Sequence, residues 1–311
     1  MVISNTTQLA ELIDRVWQPQ FVNLVARDDF MMRRMPHITG AGDGVRWKVQ
    51  AKDTNTSAAS YSEGDAAPTA VGHKFLDAKL NWKYNWVGIE VTGQMQAQAM
   101  GKGGFEGYRD VLATETEQSV LDLKNIINTQ LLAASLVSST DIDGIGIGVK
   151  SATSYAGIDP ATYTEWASDL GDTGALTIAI MQDNKTTAED TPRFGNVSVI
   201  TTTPTLWNAY GNLVQSQRRY MKGERLDGGF QALDFEGVPV VKVPGHTSGR
   251  MYFLTEKDKK GQAIFQFVTL QPFKTLDKSA GAADSLKLIV TSYCQLQVRN
   301  RRPHSYSASL T

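Results

Sequence analysis

Leu76-Asp77-Ala78-Lys79-Leu80-Asn81-Trp82-Lys83-Tyr84-Asn85-Trp86-Val87-Gly88-Ile89-Glu90-Val91 alternates apolar and polar residues over its whole length. That period of two is the signature of a half-buried strand. Leu76, Ala78, Leu80, Trp82, Tyr84 and Trp86 share one face; Val87, Ile89 and Val91 continue on the other parity, so a bulge or strong twist is expected near Gly88. Upstream, Val45, Trp47 and Val49 alternate with Arg46, Lys48 and Gln50, giving a strand that can pair with residues 76–91. The two are joined by residues 51–71, rich in Ser, Thr, Ala, Asn and Gly, with Tyr61 as the only aromatic residue. A structureless connection of that length is uncommon inside a compact domain. The pattern predicts an extended hairpin that projects from one subunit and is covered by another.

Outward from the hairpin, the N-terminal side reads as an arm. Leu9, Leu12, Ile13, Val16 and Trp17 recur at helical spacing before Pro19, and a second helical stretch over residues 21–35 stops at Met35-Pro36. Gly40-Ala41-Gly42-Asp43-Gly44 reads as a flexible turn. On the C-terminal side, residues 105–137 have a helical pattern in which Val120, Leu123, Ile127, Leu131 and Ala134 step by three or four. Their middle, residues 113–119, lacks large apolar side chains, so a surface spine crossing a sheet is expected. Gly101-Lys102-Gly103-Gly104 reads as a hinge before that helix, and the Ser/Thr/Asp/Gly-rich residues 138–160 read as a boundary. Beyond it, Thr203-Pro204 is an N-cap with proline at the first helical position, followed by Leu206, Trp207, Tyr210, Leu213 and Val214. Val197-Ser198-Val199-Ile200, Phe235-Glu236-Gly237-Val238-Pro239-Val240-Val241 and Met251-Tyr252-Phe253-Leu254 supply strands, as do residues 263–270 and 286–298. Helices and strands mix without a βαβ rhythm, which indicates an α+β fold.

Composition narrows the function. The 311 residues carry 31 Lys+Arg against 32 Asp+Glu, a formal charge of −1, without the basic excess of a dedicated nucleic-acid binder. No apolar run is long enough to cross a membrane, and the first residues lack the features of a signal peptide. The single cysteine, Cys294, excludes an intrachain disulfide and lies in an alternating strand where a small buried hydrophobe is the default. His37, His73, His246 and His304 are isolated from one another, so no metal site is expected. Gly101-Lys102-Gly103-Gly104 fits neither phosphate-loop nor dinucleotide spacing, and Asp141-Ile142-Asp143-Gly144 fails the calcium-loop pattern. No catalytic residues and no cofactor are expected. Arg299, Arg301 and Arg302 are read either as a contact for nucleic acid or an acidic neighbour, or as a solvated chain end.

The order of arm, projecting hairpin, spine helix, α+β body and returning strand resembles the major capsid protein of tailed bacteriophages, the Hong Kong 97-type fold. Three stretches carry the resemblance: Gly44-Val45-Arg46-Trp47 through Val91-Thr92-Gly93, residues 108–134, and Thr203-Pro204-Thr205-Leu206-Trp207 through Met251-Tyr252-Phe253-Leu254 to Tyr293-Cys294-Gln295-Leu296 and Asn300-Arg301-Arg302. The resemblance implies an N-terminal arm (1–43), an extended loop (44–91), a peripheral domain with the spine helix (92–150), an axial domain (151–270) and a closing strand with the C-terminal segment returning to the peripheral domain (271–311). It implies a non-enzymatic subunit that assembles with copies of itself, through pentamers and hexamers, into the icosahedral or prolate head around a double-stranded DNA genome. Portal, scaffolding and decoration proteins and non-specifically bound DNA are the implied partners. The implied location is the virion head shell, assembled in the host cytoplasm without a membrane. Trp47, Tyr61, Trp82, Trp86, Arg301 and Arg302 are the candidate assembly-interface residues. A nanocompartment shell of the encapsulin type is the alternative with the same fold; a soluble α+β enzyme is the alternative from another class.

Overall fold

The structure is a computed structural model that describes residues 30–51, 60, 62–66, 74–191, 193–214, 232–279 and 285–311. In chain order, α1 (Phe30–Arg34) and β1 (His37–Thr39) precede the hairpin strands β2 (Val45–Ala51) and β3 (Lys74–Leu80), then β4 (Lys83–Thr92) and the long helix α2 (Gly93–Leu132). The short α3 (Ile145–Gly148), β5 (Asp169–Leu170), α4 (Ile178–Glu189), β6 (Val199–Thr202), α5 (Pro204–Leu213), β7 (Ala232–Phe235), β8 (Val238–Lys242) and β9 (Met251–Leu254) follow. The long strands β10 (Phe265–Ser279) and β11 (Ser285–Val298) and the short β12 (Ser305–Ser307) end the chain.

These strands form a two-stranded ladder β2-β3, a four-stranded sheet ordered β1-β10-β11-β4, and a six-stranded sheet ordered β5-β12-β9-β6-β8-β7. The hairpin is in register from Val45 opposite Leu80 to Ala51 opposite Lys74. β10 and β11 pair antiparallel with register shifts on either side of Gln271, next to Pro272, which cannot donate to a ladder. The division drawn at residue 270 falls inside β10, and after β11 the chain leaves the four-stranded sheet, so that β12 pairs with β9 and β5 of the other.

Two cores result. Leu123, Ile127 and Leu131 of α2 are fully buried together with Val290, Cys294, Leu296 and Val298 of β11. Met181 of α4 and Leu206 and Tyr210 of α5 pack with Ile200, Val240, Met251 and Phe253 in the second. Neighbouring residues Val199, Val241, Tyr252 and Leu254 belong to the first core, so β6, β8 and β9 are apolar on both faces. That double coverage explains why these strands read as unbroken apolar runs whereas the hairpin alternates. Thr203 caps α5 as expected, its hydroxyl accepting from Leu206 N at 3.3 Å. Glu236 and Gly237, both at positive φ (50° and 80°), form the tight turn between β7 and β8.

Three expectations are corrected. The 76–91 strand is two strands: it breaks at Asn81-Trp82, where the chain leaves the β2 ladder and joins β11, and the buried parity changes there and not near Gly88. Residues 101–104 lie within α2, which starts at Gly93. Glycine costs only about 1 kcal/mol each relative to alanine, and strong helix formers flank them. The turn at residues 40–44 is held at its ends, because a Cβ on Gly40 would overlap the Trp82 ring and one on Gly44 the Leu80 carbonyl, while Ala41, Gly42 and Asp43 between them are exposed and Gly42 O accepts from Trp82 Nε1 at 2.9 Å. Residues 142–149 are core and not a boundary. Ile142, Ile145 and Val149 are buried, and Gly146 lies too close to the Ala133-Ala134 backbone of the preceding segment to admit a side chain.

Candidate assembly surface

The hairpin root is fastened to its own subunit. Trp47 is partly buried against the first core, its Nε1 donates to Arg299 O at 3.2 Å, and its ring lies 6.5 Å from that of Tyr155. Lys79 N donates to Ala156 O at 3.0 Å, and Lys74 Nζ sits 5.1 Å from the Tyr163 ring centroid. At the turn into the hairpin the Asp43 carboxylate accepts from Arg46 and from Lys79, each at 2.8 Å. The Lys79 and Arg46 hydrogen bonds hold its pKa below the ordinary carboxylate range.

Beyond the root, the hairpin ladder and the four-stranded sheet each present aromatic side chains to solvent. Phe75 is 63% exposed, Tyr84 60% and Trp86 66%. Tyr84 and Trp86 lie on the face of β4 opposite Asn85, Ile89 and Val91, which are buried. Tyr84 stands opposite Tyr293 in the β4-β11 register, ring edge to ring face at 4.9 Å, and Trp86 stands opposite Thr291. Lys287 and Glu90 pair at 3.3 Å further along the same face. Val137, 94% exposed beside the 41% exposed Leu136, lies in the segment after α2. An aromatic strip at the edge of a sheet, rimmed by ion-paired charges, has the composition of an interface centre.

Of the candidate interface residues, Trp86 is on this surface and Trp47 sits at the hairpin root. Tyr61 lies outside the described residues. Arg302 is half-buried, and its carbonyl accepts from Arg193 at 3.3 Å. Two are corrected. Trp82 is only 5% exposed, filling the space left by Gly40. Arg301 is fully buried, donating to Gly148 O (2.8 Å), Thr153 O (2.9 Å) and Ile147 O (3.4 Å), with its guanidinium 5.5 Å from the Tyr155 ring. Burial lowers its pKa to about 10. An arginine so used joins the crossover between the two sheets to the α3 region and is not available to a neighbour. Tyr84 and Phe75 were missed as surface residues. Their signal was present in the alternation, but its assignment to faces needed the break at Asn81-Trp82.

The same crossover holds His304, fully buried. Its Nδ1 accepts from Thr255 N at 3.2 Å, and its Nε2 lies 3.0 Å from Asn300 O. Burial pushes its pKa down to about 3, and that of His246 to about 4. Cys294 is buried, its thiol pushed up to about 12 by desolvation. Among the described residues no group of three or more His, Cys, Asp or Glu side chains is placed to hold a metal ion, and no helix is long and apolar enough to cross a membrane.

No family model matches the chain, and no curated protein does. Solved structures match it from end to end. A capsid chain of cyanophage A-1(L) superposes with a TM-score of 0.76 at 18% identity, over 99% of this chain and 100% of that one. The chain has the Hong Kong 97-type capsid fold. A capsid chain of a GTA particle gives a TM-score of 0.65 at 7% identity, over 100% of both chains. An encapsulin from Synechococcus elongatus gives 0.62 at 10% identity, over 100% of this chain and 96% of that one.

Proposed function

We propose that the protein is the major capsid protein of a tailed phage, self-assembling through pentamers and hexamers into a head that encloses double-stranded DNA. The observation that carries this reading is the end-to-end superposition on the cyanophage A-1(L) capsid chain, over 99% of this chain and 100% of that one. The exposed Phe75, Tyr84 and Trp86 support it, because a shell subunit must leave apolar surface for its neighbours. In this reading residues 1–43 are the arm and 44–91 the extended loop, while 92–150 and 151–270 are the peripheral and axial domains. Residues 271–311 close the fold. The role is structural, in the shell of the virion head after assembly in the host cytoplasm. Portal, scaffolding and decoration proteins are further partners, and DNA is held by non-specific contact, consistent with the charge of −1. The encapsulin superposition favours a second reading, a cargo compartment. Electron microscopy of the expressed protein tests the shell: closed particles are expected, and discrete 34 kDa subunits across salt and crowding conditions would overturn it. Recovery of cargo enzyme in place of DNA from native particles would select the compartment.

A further inference from the structure

Phe194, just past the end of α4, has φ 53° and so lies in the left-handed region that favours glycine. The turn that stops the helix is held by the backbone, Phe194 N donating to Asp190 O and Gly195 N to Ala188 O, both at 2.9 Å, and does not need the ring. The ring is 50% exposed, with Lys259 Nζ 4.5 Å from its centroid. Lys259 belongs to a tight turn closed by Asp258 N to Gln262 O at 2.8 Å and Gly261 N to Asp258 O at 2.7 Å, which leaves Lys257, Lys259 and Lys260 exposed. Among the described residues none of these lysines has an ion-pair partner. Of the nearby carboxylates, Glu256 is held by Arg34, and Asp258 and Asp190 each turn an oxygen to a backbone N–H, that of Lys259 at 2.7 Å and of Thr191 at 2.6 Å. The result is a cationic patch built around a strained, exposed aromatic residue.

The complementary surface is on the same chain. Ser62-Glu63-Gly64-Asp65 is a turn in the connection of the hairpin, Asp65 N donating to Ser62 O at 3.1 Å and Ser62 N to Asp65 Oδ2 at 2.7 Å. Glu63 and Asp65 are exposed and have no cation partner among the described residues. Gly64 between them, at φ 94°, presents bare backbone to an approaching surface. We propose that this acidic turn of one subunit docks on the patch of Lys257, Lys259, Lys260 and Phe194 of a second copy. Glu63 and Asp65 face the ammonium groups, and the Phe194 ring holds Lys259 in position for them. The proposal rests on the shell reading and deepens it, naming what the extended loop meets on its neighbour. A single exposed ion pair is weak, but the contact repeats at every subunit of a closed shell, where small contributions add.

The test mixes two variants of the full chain, Ser62→Cys and Gln262→Cys, which leave every charge of the contact in place; the native Cys294 is buried. On oxidation a dimer linked between residues 62 and 262 is expected, and added salt should lower its yield. Absence of that linkage overturns the docking, whether or not shells form. Charge reversal gives the second arm. Glu63→Lys with Asp65→Lys, and Lys259→Glu with Lys260→Glu, should each lower the yield of closed particles about tenfold, and the chain carrying all four should recover it. If wild-type shells close and the fourfold variant does not recover, the docking is overturned and the shell reading stands; if the wild type forms no particles, the shell reading falls and the linkage still decides the docking. Lysine reversals that release bound DNA, with particle yield indifferent to Glu63→Lys and Asp65→Lys, would assign the patch to nucleic acid and overturn the proposal. Phe194→Gly should lower the linkage about threefold while leaving the denaturation midpoint of the subunit unchanged or higher, because glycine relieves the left-handed strain. A lower midpoint with unchanged linkage would return the ring to the subunit and overturn its role in the contact.

Discussion

Trp82 and Trp86 are four residues apart and have opposite fates. Trp82 sits at the junction of the hairpin and the four-stranded sheet, 5% exposed, hydrogen-bonded to Gly42 O and packed where Gly40 has no side chain. Trp86 stands 66% exposed on the outer face of β4. The junction invests its apolar surface in the subunit; the outer face leaves it for a partner. The strand break between them lets one run of alternating residues serve both ends.

The largest expected effect is at the junction. Trp82→Ala should cost about 3–5 kcal/mol, by lost burial and an unfilled cavity, read as a lower denaturation midpoint of the subunit. If Trp82→Ala leaves the midpoint unchanged, the contrast between the two tryptophans collapses.

Acid probes the buried histidines. His304 and His246 are held neutral with pKa values pushed down to about 3 and about 4, whereas unfolded histidine titrates near 6.5. Between those limits the unfolded chain binds more protons, so stability falls as pH drops below about 6.5, by up to about 1.4 kcal/mol per pH unit for each histidine. The His246 share ends near pH 4 and the His304 share near pH 3. His304→Gln should roughly halve the histidine part of this slope in denaturation curves taken from pH 6 to 4.5; an unaltered slope would remove His304 from the account.

The outer face should show the reverse signature. Replacing residues 52–73 by Asn-Gly suits the direct pairing of Ala51 with Lys74, and should leave the melting temperature within a few degrees while shells are lost. Trp86→Ser should change subunit stability least, by about 0.5 kcal/mol or less, yet lower the yield of assembled particles. A stability loss comparable to that of Trp82→Ala would place Trp86 in the subunit core.

Local chemistry made several elements legible in the sequence. Thr203-Pro204 announces α5 because the cap and the fixed proline φ act within one turn, and Leu123, Ile127 and Leu131 mark the buried face of α2 by spacing alone. The hairpin pairing was legible from alternation on both sides of a polar connection. What escaped depends on partners distant in sequence. β1 is three exposed residues held by parallel pairing with Phe267, Val268 and Thr269. Arg301 looks like a surface charge until the carbonyls of residues 147, 148 and 153 surround it. Asn81-Trp82 carries no breaker residue, and only the exchange of β2 for β11 as a ladder partner turns it into a junction.

The sequence by itself determined that this chain is α+β, with a hairpin that alternates and a spine helix with one apolar face. These follow from periodicity and residue chemistry, which operate over a few neighbours. Tertiary structure decided which aromatic side chains are core and which are surface, that residues 142–149 pack against the end of α2, and that the crossover at residues 299–305 ties the two sheets together. Those outcomes rest on close approach between distant segments, where a missing Cβ or a carbonyl without a nearby donor selects its partner. Alternation shows that a strand has two faces; only the sheet it joins determines which face is covered.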